Sequence, residues 1–72
     1  MISCEYIYSK FCTKNPNVVS DIVNYKRWGD SSIVVECKND IFYKVKYREF
    51  DNSIYVQSVS REDVDKKFSV NG

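Results

Sequence analysis

The sequence predicts a small α+β domain built around an antiparallel meander, and three observations carry that reading. Leucine, alanine and histidine are absent. Leucine and alanine are strong helix formers, and their place is taken by valine, isoleucine and tyrosine, which suit a pleated, half-buried surface. Residues 41–50 alternate without a break, with Ile41, Tyr43, Val45 and Tyr47 on one side and Phe42, Lys44, Lys46, Arg48 and Phe50 on the other. Turn-forming residues, Asn39-Asp40 and Asp51-Asn52-Ser53, separate the β-rich segments.

Taken in order, residues 2–8 read as an N-terminal strand, with Ile2, Cys4, Tyr6 and Tyr8 on one side. A helical face of Cys4, Tyr8, Phe11 and Cys12 competes with that pattern. Asn15-Pro16 is a helix-start signal and predicts a helix over 16–28. Val18, Val19, Ile22 and Val23 fall on one face at helical spacing, Lys26 and Arg27 suit a last turn, and Gly29 is a natural stop. Strands at 33–37, 41–50 and 54–59 then form a three-stranded meander over about 33–59. Ser60 with Asp63 resembles a capping box and opens a short helix over 61–68, in which Val64 and Phe68 form an i,i+4 apolar pair. Residues 69–72 are expected to fray. The whole, 1–72, reads as one domain near the lower size limit for an unstapled core, so a second copy or a partner that buries more apolar surface fits the expectation.

Composition narrows the chemistry. A net charge of +1 is a weak footprint for nucleic acid, which favours strongly basic domains. Cys4, Cys12 and Cys37 form no Cys-x-x-Cys pair, and without histidine they complete no zinc site, so no metal and no cofactor are expected. Reduced, mostly buried thiols in a cytoplasmic protein are the first reading, and a Cys4–Cys37 disulfide is the second. The N-terminus lacks the pattern of a signal peptide, and no run of residues is apolar enough for a membrane partner. Without histidine, no nucleophile–base pair suggests itself, and the only glycines, Gly29 and Gly72, make no phosphate loop. The expectation is a protein that is not an enzyme.

Two clusters stand out as binding candidates. Lys44, Lys46 and Arg48 form a basic stripe flanked by Phe42 and Phe50, and Tyr55, Gln57 and Val59 should line the same side of the next strand. Basic and aromatic residues interleaved on a sheet hold single-stranded nucleic acid in some proteins, and serve as an ordinary solvated face in others. Tyr25, Lys26, Arg27 and Trp28 form the second cluster, rich in the residue types enriched at interface hot spots. Open strand edges add a route for strand addition by a partner or a second copy. The helix, three strands and helix from Pro16 to Phe68, with Lys66 and Lys67 in the last helix, resemble the αβββα order of double-stranded-RNA-binding domains. The acidic start of that helix, at Glu62 and Asp63, departs from the family's basic one, so the resemblance extends to topology alone.

The functional expectation is therefore a non-enzymatic binding protein that acts through protein–protein contacts. RNA or single-stranded DNA is the alternative partner, and self-assembly is the third. Abundant Asn, Lys, Ile, Tyr and Phe, in a short chain that begins at Met1, suggest a phage or mobile-element accessory protein that inhibits or modulates a host factor.

Overall fold

The computed structural model describes residues 2–68. Helix α1 (Cys4–Lys14) precedes a four-stranded antiparallel sheet in the order β1 (Ile22–Gly29), β2 (Ser32–Cys37), β3 (Ile41–Arg48) and β4 (Ser53–Val59), and α2 (Arg61–Phe68) closes the described chain. The α+β class and the antiparallel meander agree with the sequence. The meander has one strand more than expected.

The segment read as a strand at 2–8 is helical. Ser3 caps it by accepting a hydrogen bond from the Tyr6 amide at 3.2 Å, Glu5 lies in the first turn and Lys14 in the last. Ile7 and Phe11, one helical turn apart, are both buried, so the competing helical pattern won because it brings this i,i+4 pair onto the sheet.

The helix expected at 16–28 is instead a 3₁₀ turn at Val19–Asp21 followed by β1. Asn15 ends α1 rather than starting a helix: its backbone N–H and its side-chain Nδ2 both donate to the Phe11 carbonyl, at 2.9 and 3.0 Å. Ile22, Val23, Tyr25 and Trp28 favour a strand, and antiparallel pairing with β2 outweighs their helical spacing. The element order is therefore αββββα, which departs from the αβββα order of the RNA-binding fold. The expected C-terminal helix matches α2, while residues 69–72, expected to fray, lie outside the described residues.

Register explains the turns. Asp30-Ser31 links Gly29 to Ser32, Lys38-Asn39-Asp40 links Cys37 to Ile41, and residues 49–52 link Arg48 to Ser53. Asn39, Asp40 and Asn52 take positive φ of 63°, 61° and 56°, which Asn and Asp tolerate better than most residues.

The two sheet faces are covered differently. On one, α1 packs Ile7 and Phe11 onto Ile33, Val35, Cys37 and Val45, with Tyr8, Tyr25, Tyr43 and Tyr47 around them. The Tyr8 and Tyr25 rings stack 3.9 Å apart, and the Tyr6 and Tyr47 hydroxyls both donate to Asn52 Oδ1, tying α1 to the β3–β4 turn. On the opposite face α2 covers only part of the sheet, with Val64 on Val34 and Phe42.

Candidate functional site

The partly covered face is built from β1 outward to β4. Cross-strand pairing aligns Lys26, Val34, Lys44 and Gln57 in one row and Ser32, Lys46 and Tyr55 in the next. Ser60 and Asp63 cap α2 reciprocally, the Asp63 amide donating to Ser60 Oγ at 3.1 Å and the Ser60 amide to Asp63 Oδ2 at 3.4 Å. The cap starts the helix immediately after β4 and points it back across Phe42 and Val34. Its last residue, Phe68, meets Trp28 edge to face at 5.7 Å, and the Lys26 ammonium lies 4.1 Å from the Phe68 ring centre.

Beyond α2 the face is open. Lys44, Lys46, Arg48, Tyr55 and Gln57 line a shallow basin of about 340 Å³. Tyr55 is 63% exposed, whereas Phe42 is 4% exposed. Arg48 is engaged locally: its guanidinium pairs with Asp51 at 2.9 Å and lies 5.0 Å from the Phe50 ring centre. That pairing, with a hydrogen bond from Ser53, holds the Asp51 carboxyl below the usual aspartate range. Arg61 is likewise taken up by Asp40, with Asp65 at 4.0 Å, and its hydrogen bond lowers Asp40. Lys44 reaches over Trp28, its ammonium 5.1 Å from the ring centre. Among the described residues, neither Lys44 nor Lys46 has a carboxylate partner. These two lysines carry the basin's uncompensated charge.

The structure thus brings Lys44, Lys46, Arg48 and Tyr55 together and places Trp28 at their border, half-buried. Phe42 lies on the same face beneath α2. Tyr25 and Arg27 face the other way, toward α1. Tyr25 stacks on Tyr8, and Arg27 donates to the carbonyls of Gly29, Asp30 and Ile2, joining the β1–β2 turn to the segment before α1. Lys26 belongs to the basic face, a place the helical reading of 16–28 concealed. The alternation of Lys26 and Trp28 against Tyr25 and Arg27 is the signal that marks it.

The remaining chemistry is modest. All three cysteines are free. Burial, then Asp21 and Glu36, pushes the Cys37 thiol above its usual range, so its reactive thiolate is disfavoured. A hydrogen bond with Cys12, then burial, raises the Tyr8 hydroxyl. Among the described residues no group of three or more His, Cys, Asp or Glu could hold a metal ion, and no helix is long and apolar enough to cross a membrane. No family model, curated protein or solved structure matches the chain.

Proposed function

We propose that this chain is a non-enzymatic binding protein whose open β3–β4 face docks an acidic patch on a partner protein. One observation carries the reading: Lys44 and Lys46, without carboxylate partners among the described residues, share an open basin with the exposed Tyr55 and with Gln57. Tyrosine is an effective interface anchor, since it offers a large amphipathic surface with few rotatable bonds. Paired with an acidic partner, the lysines would add orientation and speed of encounter. The absence of histidine removes the usual general base and favours binding over catalysis.

Supply of aromatics favours protein over single-stranded nucleic acid. A strand of bases needs successive exposed rings as stacking platforms. Here Phe42 is buried and Trp28 half-buried, and Phe50, though exposed, lies past the end of β3 with Arg48 over its ring, so Tyr55 is the one aromatic that lines the basin. Arg48 and Arg61 are already paired, so fewer charges remain for phosphates. Composition favours a cytoplasmic phage or mobile-element accessory protein, with a host factor as the partner that it inhibits or modulates.

Tagged wild-type protein and the Lys44→Glu, Lys46→Glu double variant, both shown folded by circular dichroism, test the reading in extract of the native host. A protein retained by the wild type and lost by the variant is the expected result. Retention by both proteins refutes the role of the lysines. Salt-dependent oligonucleotide binding with no protein retained would transfer the site to nucleic acid.

A further inference from the structure

The two outer strands of the sheet, β1 and β4, are guarded differently. β1 carries two register shifts, after Ile22 and after Arg27, together with Lys26 and Arg27. Bulges and charges of this kind discourage a neighbouring strand from pairing. β4 has none of these guards. Its sequence, Ser53-Ile54-Tyr55-Val56-Gln57-Ser58-Val59, contains no charge, no proline and no glycine, and it pairs with β3 in unbroken register from Ser53 to Val59. Among the described residues nothing pairs with its outer edge.

We infer that β4 pairs antiparallel with β4 of a second copy, joining two sheets into one of twice the width about a two-fold axis through Val56. Geometry fixes that axis. Directly opposed residues in an antiparallel pair share a face. A two-fold axis perpendicular to the sheet keeps both α1 helices on one side, so each residue meets one of the same parity. Of the registers that satisfy this, one pairs the whole of Ser53–Val59. It sets Val56 against Val56 of the second copy, Tyr55 against Gln57, Ile54 against Ser58 and Ser53 against Val59. Val56 is 38% exposed, and this pairing covers it with its own counterpart.

Charge makes a second copy the fitting occupant. No charged side chain meets another across the new ladder, because β4 has none. The nearest lysines, Lys44 and Lys46, lie on β3 and face their counterparts across three strand spacings, roughly 14 Å. That exceeds the screening length of about 8 Å at physiological ionic strength. The edge therefore presents hydrogen-bonding groups and modest apolar area to its own copy with little repulsion. The association is independent of the acidic-partner reading above.

Sedimentation and hydrogen exchange together test the proposal. Wild-type protein should shift from monomer to dimer as concentration rises, and amides of Ser53–Val59, but not those of Ile22–Gly29, should gain protection with it. Val56→Lys and Val56→Asp, each alone, should self-associate at least about tenfold more weakly, because like charges then stand directly opposite. Mixing the two in equal amounts should restore the dimer. Lys44→Glu with Lys46→Glu should leave it intact, which separates this result from the partner test. Wild-type protein that stays monomeric up to its solubility limit overturns the inference, whatever the variants do. So does protection gained on β1 instead, or a mixture of folded Val56 variants that remains monomeric.

Discussion

The two faces of one sheet are covered differently, and the residues they leave exposed differ with them. The α1 face is closed: Ile7 and Phe11 fill it, and Arg27, which has the composition of a contact residue, is spent on three backbone carbonyls. The opposite face is closed only where Val64 and Phe68 reach, and past them the residues on offer are lysines, a tyrosine and a glutamine. Residue type alone does not separate buried from open positions here. What separates them is which helix covers the strand.

Substitutions on the two faces should differ in their effects. The largest effect belongs to Phe11→Ala, which should cost about 3–5 kcal/mol by chemical denaturation, since it empties the centre of the closed face. For a chain this short, such a loss is much of the total stability. Val64→Ala should cost roughly 1–2 kcal/mol, because it thins a smaller cluster with solvent at its border. A cost equal to that of Phe11→Ala would abolish the distinction between the faces.

Lys44→Glu with Lys46→Glu should change the unfolding free energy by less than about 1 kcal/mol, mostly through the lost contact of Lys44 with Trp28, while removing partner retention. The smallest effect concerns acid. Arg48 and Arg61 hold Asp51 and Asp40 below the usual carboxylate range, so each aspartate's folded pKa lies below its unfolded one. The stability each contributes is present above the unfolded pKa of about 3.9 and is lost as pH falls through the lowered folded value. Asp51→Asn and Asp40→Asn should therefore flatten the loss of stability below about pH 4 in thermal melts, with little change at neutral pH.

How far the sequence reveals this molecule depends on whether local pattern and tertiary pairing agree. They agree in β3, where strict alternation places Tyr43, Val45 and Tyr47 under α1 and Lys44 and Lys46 opposite, and in α2, where Ser60 and Asp63 cap the helix. They conflict at both segments misread from sequence. Val18, Val19, Ile22 and Val23 satisfy a helical spacing and a strand propensity at once, and pairing with β2 draws the chain from Ile22 onward into a strand, while Val18 and Val19 stay in the turn before it. Cys4, Tyr6 and Tyr8 alternate, yet burying Ile7 with Phe11 requires a helix. At the candidate site, the stripe Lys44-Lys46-Arg48 and its neighbour Tyr55 are readable from alternation alone. The pairing of Arg48 with Asp51 and the burial of Phe42 beneath α2 are not, because both depend on where a turn and a helix fold back.

On the proposed function, the open half of the sheet binds and the closed face supports it. Backbone NMR spectra of labelled protein, recorded while the retained partner is titrated in, address it residue by residue. Cross-peaks of Lys44, Lys46, Tyr55 and Gln57 should shift or broaden first, while those of Ile7, Phe11 and Tyr25 stay in place. Perturbations centred on α1 and Tyr25, with Lys44 and Lys46 unmoved, would contradict the account.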